Sequence, residues 1–223
     1  AVGLAMAAKF AGDSTVALAM CGDGSTSEGD FHEALNLAAV FEAPVVFLVQ
    51  NNGYAISTPV SRQMRAASIA AKGEGYGMPA YQVDGNDFEQ VYPRLHEAVE
   101  RARAGGGPTL IEAMTYRMGP HTTSDNPDRY RSREEVEQWR GRDPLTRIQH
   151  QMYQRLPNAK THIENAILAA EKIASEARTS MMQLQMPDPQ DLFAHVYANP
   201  PATLSAVAEE YAQQHAAQNG ENA

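Results

Sequence analysis

The sequence is poor in three features that mark large classes of protein. Lys and Arg total 18 against 27 Asp and Glu, a net charge of −9, so nucleic acid and anionic membrane surfaces are not expected partners. No apolar run approaches the roughly 20 residues that span a bilayer. The single cysteine, Cys21, lies in a strand-like apolar run, and we expect it to be a small core residue in a reducing compartment rather than a nucleophile.

What the sequence does contain first is a strand–helix–strand pattern. The apolar runs 16–21 and 45–49 predict two buried strands, and the stretch 28–41 has the apolar period of a helix. Ser27, with an acidic residue three positions later, is predicted to cap that helix. Pro44 ends the helix and separates it from the second strand.

The pattern continues as far as residue 115. Short strands are predicted at 81–83 and 109–115, and a helix at 88–104, with Asp87 as its cap. Gly73, Gly75 and Gly77 are expected to let a long surface loop bend. Strands that alternate with helices predict an α/β fold with a doubly wound, mostly parallel sheet.

After Tyr116 the sheet pattern stops, and the rest of the chain is predicted to be helical. A polar loop at 119–131 leads to helices capped by Ser132 and by Asp143. We therefore expect one α/β domain over 1–160 and a helical C-terminal extension over 161–218, built on helices at 161–183 and 204–215. Residues 219–223 are expected to form a disordered tail.

Polar turns follow the first two strands, at the edge where open parallel sheets bind ligands. Asp23 lies between Gly22 and Gly24, and Asn52 lies in an Asn-Asn-Gly turn. One carboxylate, one amide oxygen and a backbone carbonyl form a hard oxygen set that suits Mg²⁺. The helix start after Gly24 favours a diphosphate beside the ion.

The spacing of these turns and the surrounding sequence resemble a known family. The residues GDG and NN are 26 residues apart, which resembles the thiamine-diphosphate-binding motif. The stretches GDGSTSEGDFHEALN, QNNGYAISTP, GYGMPAYQVDGND and EAMTYRMGPHTTSDNPDRYRS are similar to the alpha subunit of the decarboxylating component of 2-oxo acid dehydrogenase complexes, in the pyruvate and branched-chain types. The resemblance runs in order from residue 1 to about residue 200.

This resemblance implies thiamine diphosphate and Mg²⁺ as cofactors and assigns residues to them. Asp23, Asn52 and the backbone carbonyl of Tyr54 would be the magnesium ligands. The implied cofactor-binding residues are Gly22, Asp23, Gly24, Ser25, Asn52, Tyr54, Ile56 and His121. Some members of the family have an arginine where this chain has Gln50, so other donors are expected to hold the diphosphate here.

His121, in the polar loop, is the implied catalytic residue. A histidine at this place can bind a phosphate or move a proton near neutral pH, and in the family it assists acyl transfer to a lipoyl group. Thr122 and Ser132 match positions that are phosphorylated serines in animal members. Thr replaces Ser at the first position and Ser132 is explained as a helix cap, so phosphorylation is not predicted.

The resemblance also implies partners. We expect a beta subunit in an alpha2-beta2 heterotetramer, the lipoyl domain of the acyltransferase component, and a small 2-oxo acid substrate. The family alpha subunit has roughly a further third before residue 1, so the chain is expected to be part of a longer one. The expected location is the bacterial cytoplasm, or the mitochondrial matrix in a eukaryote.

Three alternatives remain open at this point. They are a non-catalytic assembly subunit of the same fold, an acetoin-type dehydrogenase and a transketolase-like transferase. The last would share GDG and NN but not the loop TYRMGPHTTSDNPDRYRS. Pyruvate and branched-chain substrates are not separated, although NNGYAIS and GYGMP favour the branched-chain type.

Overall fold

A computed structural model describes residues 1–185 and 188–220, and only the backbone of 216–220. The chain divides into two compact units, Ala1–Ala159 and Lys160–Ala223. No helix among the described residues is long and apolar enough to cross a membrane.

The first unit contains six strands and seven helices within its described residues. The strands are β1 (Ala17–Gly22), β2 (Val45–Asn51), β3 (Tyr54–Ala55), β4 (Thr58–Pro59), β5 (Ala80–Asp84) and β6 (Thr109–Met114). The helices are α1 (Val2–Ala11), α2 (Gly29–Val40), α3 (Val60–Gln63), α4 (Ala70–Gly75), α5 (Phe88–Arg103), α6 (Arg133–Arg140) and α7 (Pro144–Arg155), with 3₁₀ turns at Gly24–Ser27 and Pro127–Arg129.

Four of these strands form one parallel sheet in the order β1-β2-β6-β5. Ala17 lies opposite Val45, Val46 opposite Thr109, and Ala80 opposite Leu110. The last strand in sequence therefore lies between β2 and β5, and the four carboxyl ends meet at one edge. Strands β3 and β4 form a separate antiparallel hairpin directly after β2.

Apolar side chains cover both faces of this sheet. One core joins Val45, Phe47 and Val49 of β2 to α1, to α2 and to Ile69, the residue that precedes α4. The other joins Val46 and Leu48 of the same strand to α5. Because β2 is buried on both faces, its sequence is a continuous apolar run rather than an alternating one. The prediction of an α/β fold with a doubly wound parallel sheet is confirmed.

Several local predictions are confirmed at the level of single hydrogen bonds. Asp87 accepts a hydrogen bond from the backbone N–H of Glu89 at 3.0 Å, and Ser132 accepts one from Glu135 at 3.1 Å. Asp143 caps α7 by accepting from Leu145 at 2.8 Å. Each side chain satisfies an N–H that the helix itself leaves unpaired.

Two local predictions are wrong. Ser27 does not cap α2, because residues 24–27 form a 3₁₀ turn and the helix begins two residues later, after Glu28. Gly73 and Gly75 belong to α4 instead of a flexible loop. A Cβ at Gly73 would lie 2.9 Å from the Cβ of Leu110, so the missing side chain allows this helix to approach the sheet.

The second unit is helical in its described part. It contains most of α8 (Ala159–Gln183), together with α9 (Asp191–Ala194) and α10 (Ala202–Gly220). In α8, Ile163 is buried, whereas Ile167 and Met181 are exposed. Of the predicted tail, residues 219 and 220 belong to α10, and residues 221–223 lie outside the described residues.

Candidate functional site

Asp23 lies at the carboxyl end of β1 and is almost completely buried, with 2% of its surface exposed. Its Oδ1 accepts a hydrogen bond from the backbone N–H of Asn52 at 3.3 Å, and its Oδ2 accepts one from Gln63 Nε2 at 3.2 Å. The two polar turns that the sequence places at one sheet edge therefore meet. None of the ion pairs among residues 1–185 and 188–220 includes Asp23.

The turn after β2 is shaped by two successive asparagine side chains. Asn51 Oδ1 accepts from the backbone N–H of Gly53 at 3.1 Å, and Asn52 Oδ1 accepts from that of Tyr54 at 3.2 Å. Asparagine side chains commonly fold the chain in this way. Gly53 has φ +87°, a conformation that glycine adopts without strain.

The turn after β1 packs directly on the β3–β4 hairpin. A Cβ at Gly24 would lie 2.7 Å from the Cβ of Ala55, so the turn requires a glycine there. Ser25 is exposed on this turn, and Gly22 is the last residue of β1. Thr26 is buried and donates through its hydroxyl to the backbone carbonyl of Asp23 at 2.8 Å.

Lys72 of α4 makes two hydrogen bonds to the same turn. Its Nζ donates to the carbonyl of Thr26 at 2.6 Å and to the hydroxyl of Thr26 at 2.9 Å. Burial lowers the pKa of Lys72, while the carboxylate of Glu112 opposes that change. Helix α4 therefore holds, through Lys72, the turn that follows Asp23.

The hairpin presents two more of the predicted cofactor residues. Ile56 has φ +56° and 56% of its surface exposed, an unusual combination for a β-branched residue and one typical of strained functional loops. Arg117 donates to the carbonyl of Ile56 at 2.6 Å and to that of Tyr54 at 3.4 Å. Arg117, which follows β6, therefore fixes the backbone of the hairpin at Tyr54 and at Ile56.

The side chain of Tyr54 points to α6. Its hydroxyl lies 3.1 Å from Glu135 Oε1 and donates to that carboxylate. Burial raises the pKa of Tyr54, and the hydrogen bond to Glu135 adds to the rise. Burial also raises the pKa of the neighbouring Tyr116 to about 12. Both phenols therefore stay neutral at physiological pH.

The loop that contains His121 is ordered by charged side chains around it. Arg131, which is buried, donates to the carbonyls of Arg117, Met118 and Gly119. The backbone N–H of His121 donates to Asp125 Oδ2 at 2.8 Å. The imidazole is exposed and makes no hydrogen bond within the described chain, so the structure does not join it to Asp23 or Asn52.

Gln63, Lys72 and Glu112 surround the predicted ligands but are not among the residues predicted from the sequence. Gln63 and Lys72 lie in the stretch 61–79, which is predicted to be mostly loop with a short helix at about 68–72, and nothing in that pattern points to the site, so only the folded chain identifies them. For Glu112 a signal exists: it is the single charge in the apolar strand Thr109–Met114, and charged residues are rarely fully buried unless they are paired.

The donor chemistry of this site fits a divalent cation. A buried carboxylate without a cationic partner carries a large desolvation cost, which a bound cation would offset. The Asn52 amide oxygen and the Tyr54 carbonyl each accept one hydrogen bond and keep a second lone pair. Within the described residues no three His, Cys, Asp or Glu side chains form a metal cluster, so the candidate site depends on one carboxylate plus neutral oxygens.

The fold and the site define a class: a doubly wound parallel α/β protein with hard oxygen donors at the carboxyl edge of its sheet. Within this class, the family described as "Dehydrogenase E1 component" matches residues 1–190. The chain belongs to that family.

Two curated relatives of this chain carry different names. The chain is 50% identical over 210 residues to "3-methyl-2-oxobutanoate dehydrogenase subunit alpha" of Mycobacterium tuberculosis (strain CDC 1551 / Oshkosh), covering 94% of this chain and 57% of the relative. It is 43% identical over 205 residues to "Pyruvate dehydrogenase E1 component subunit alpha" of Staphylococcus aureus (strain Mu50 / ATCC 700699), covering 86% of this chain and 55% of the relative. The chain thus spans a little over half the length of these relatives.

Proposed function

We propose that this chain is part of the alpha subunit of a thiamine-diphosphate-dependent 2-oxo acid dehydrogenase. The enzyme would decarboxylate pyruvate or a branched-chain 2-oxo acid and reductively acylate the lipoyl group of an acyltransferase component. One observation carries the proposal: the buried Asp23 carboxylate has no cationic partner within the described chain and touches the turn that presents Asn52. The names of the two relatives support the same reaction class.

The residues at the sheet edge have separate proposed tasks. Asp23, Asn52 and the Tyr54 carbonyl would bind Mg²⁺, and Gly22, Gly24 and Ser25 would lie along the diphosphate. Ile56, exposed on its hairpin, would support the apolar part of the cofactor. When bound, thiamine diphosphate accepts the electron pair that is released as carbon dioxide leaves the substrate.

His121 is proposed to attend acyl transfer. Its exposed imidazole can donate to a diphosphate oxygen or move a proton near neutral pH. Asp125 and Arg131 hold the backbone of its loop and leave the ring without a hydrogen bond to the described residues. The loop is therefore fixed at its base while the imidazole stays available for a ligand.

The proposed assembly is an alpha2-beta2 heterotetramer within a multienzyme complex, located in the cytoplasm if the source is a bacterium. The beta subunit would supply the glutamate that activates the cofactor, and a lipoyl domain would reach the site from outside. Between the two substrates, the 50% identity to the relative named for 3-methyl-2-oxobutanoate supports a branched-chain 2-oxo acid.

The proposal is tested on the full-length protein co-expressed with its beta subunit. Reduction of an artificial electron acceptor is followed with pyruvate or 3-methyl-2-oxobutanoate in the presence of thiamine diphosphate and Mg²⁺. We expect turnover of at least one acid, and we expect Asp23→Ala to lower both turnover and Mg²⁺-dependent cofactor binding by about 100-fold or more, as loss of a charged metal ligand does.

Asp30→Ala is the matched control, because Asp30 is exposed in the first turn of α2, near Asp23 in sequence. It should leave cofactor binding unchanged. Cofactor binding without turnover of either acid would contradict the dehydrogenase assignment and favour a non-catalytic assembly subunit. Equal binding by wild type and Asp23→Ala would show that the metal is held elsewhere.

A further inference from the structure

A carboxylate outside the predicted ligand set lies in the middle of the sheet. Glu112 of the central strand β6 is 1% exposed. Its Oε1 accepts from Asn51 Nδ2 at 2.7 Å, and its Oε2 accepts from the backbone N–H of Ala70 at 3.0 Å and from Gln82 Nε2 at 3.2 Å. Three donors from three different elements therefore meet at one buried side chain.

The hydrogen bond from Asn51 determines how its amide group is oriented. The amide nitrogen must face Glu112, because a carboxylate only accepts. The amide oxygen must then face the opposite way, where it accepts from the backbone N–H of Gly53 at 3.1 Å. A rotated amide would place an oxygen against the carboxylate and leave the partly buried N–H of Gly53 without its acceptor, and both changes cost free energy.

This orientation reaches the candidate metal site through the backbone. The Asn51–Gly53 hydrogen bond closes the turn that contains Asn52, and the N–H of Asn52 donates to Asp23 Oδ1 at 3.3 Å. The carbonyl of Asn51 also accepts from the N–H of Thr115 at 2.8 Å. Glu112 is thus one of the groups that fix the turn that presents two predicted metal ligands, and it is the one that orients the Asn51 amide.

We propose that Glu112 is a positioning residue for the magnesium and diphosphate site. It acts through the amide of Asn51, and it touches neither cofactor nor substrate. The inference rests on the proposed function, since it assigns to Glu112 the geometry of that same site. Replacement of residues that hydrogen-bond to metal ligands and orient them commonly lowers metal affinity by about 10- to 100-fold.

The chain offers a test that reverses this hydrogen bond without removing it. In Glu112→Gln, we expect the single amide oxygen to face the two donors Ala70 and Gln82, so that the amide nitrogen faces Asn51 and cannot accept from it. In Asn51→Asp, two carboxylates face each other. In the double variant, the introduced glutamine would donate through Nε2 to the introduced aspartate and accept through Oε1 from Ala70 and Gln82. The second oxygen of the aspartate would accept from Gly53, and the net charge would equal that of the wild type.

The four proteins are compared as full-length alpha subunits co-expressed with beta. Thiamine diphosphate affinity is measured by titration calorimetry at several Mg²⁺ concentrations, and the thermal unfolding midpoint is measured without cofactor. We expect each single variant to weaken Mg²⁺-dependent binding by about 10-fold or more, and the double variant to return to within about threefold of wild type, the coupling expected of contacting residues. Gln82→Met removes one hydrogen bond to Glu112 but keeps the hydrogen bond between Asn51 and Glu112. This variant should leave cofactor binding unchanged.

Each outcome decides the proposal. Single variants that unfold at lower temperature but bind cofactor as the wild type does would overturn it and leave Glu112 a purely structural residue. Two single losses that add in the double variant, without rescue, would also overturn it. If Glu112→Gln alone does not fold, the comparison of Asn51→Asp with the double variant still decides the proposal: cofactor binding restored by the second substitution supports it, and binding that stays weak overturns it. Failure of the wild type to bind would overturn the proposed function itself, together with this inference.

Discussion

Gln63 is hydrogen-bonded to the carboxylate that is proposed to bind the metal. Its Nε2 donates to Asp23 Oδ2 at 3.2 Å and to the Thr58 carbonyl at 3.2 Å. This hydrogen bond uses one of the two lone pairs of Oδ2 and directs a positive partial charge at the oxygen that would bind a cation. We therefore expect Gln63→Ala to tighten Mg²⁺ binding by about 3- to 10-fold, which equals about 0.7–1.4 kcal/mol and lies within the net contribution of a typical hydrogen bond, as measured by Mg²⁺ titration of cofactor binding.

Gln214 provides the matched control at this scale, because its Nε2 donates to Glu210 Oε1 at 3.2 Å on α10. Gln214→Ala removes the same kind of hydrogen bond far along the sequence and should not change Mg²⁺ affinity. Weaker Mg²⁺ binding in Gln63→Ala would instead mean that Gln63 supports the bound cation.

At the residue scale, the contact between Asp23 and Asn52 was predictable from the sequence, but its surroundings were not. That these two residues meet follows from parallel strands whose carboxyl ends share an edge, and the structure places them in hydrogen-bond contact. Gln63 and Lys72 come from a stretch that is predicted to be mostly loop, and their positions depend on how α3 and α4 pack. Packing of this kind is not encoded in local sequence.

At the scale of elements, the turn after β1 and the β3–β4 hairpin pack without room for a methyl group at Gly24. Because the added Cβ in Gly24→Ala would lie 2.7 Å from Ala55 Cβ, the turn or the hairpin must shift. We expect a loss of about 1–3 kcal/mol in the free energy of unfolding, as for overpacking in general, with weaker cofactor binding. Denaturant unfolding and cofactor titration measure the two effects.

Gly29→Ala is the control for this substitution. Gly29 begins α2 and has open space around the position of a Cβ, so alanine there should preserve both stability and binding. An unchanged cofactor affinity in Gly24→Ala would show that the two turns can separate without affecting the site.

The elements themselves were mostly predictable, for physical reasons. Strands buried on both faces appear as short apolar runs, and Asp87, Ser132 and Asp143 mark helix starts by their chemistry. The start of α2 was mispredicted, since residues 24–27 fold onto Asp23 as a 3₁₀ turn. Gly73 was mispredicted because its function is close packing against Leu110, which only the tertiary structure reveals.

At the scale of the whole molecule, 27 acidic residues stand against 18 basic ones. We therefore expect the free energy of unfolding to change with pH in the acid range, where carboxylates become protonated. Asp84 is the largely buried carboxylate of an ion-pair cluster, with Arg147 at 3.0 Å and Arg142 at 3.4 Å. Burial alone would raise the pKa of Asp84, but hydrogen bonds from Asn86 and from these arginines hold it below the ordinary value of 3.8.

The direction of the pH dependence follows from this lowered pKa. The stabilisation by ionised Asp84 is fully present above the unfolded value of 3.8 and is lost as the pH falls through the lower pKa of the folded state. We expect Asp84→Asn to be less stable than wild type at pH 7, with the difference shrinking as the pH falls below 3.8, as measured by denaturant unfolding. A difference that does not change with pH would exclude Asp84 as a source of acid sensitivity.

The position of β6 also fixes when the site can first exist. This strand is the last of the sheet in sequence, yet it lies between β2 and β5, and its pairing joins residues about as distant as Val46 and Thr109. Contacts of such long range form slowly, and a chain emerging from the ribosome cannot form them before its residue 114 is free. Until then Glu112 cannot accept the hydrogen bond from Asn51, and the turn that contains Asn52 lacks this contact. Cofactor binding is therefore expected to begin only after β6 has been synthesised and has paired with β2 and β5.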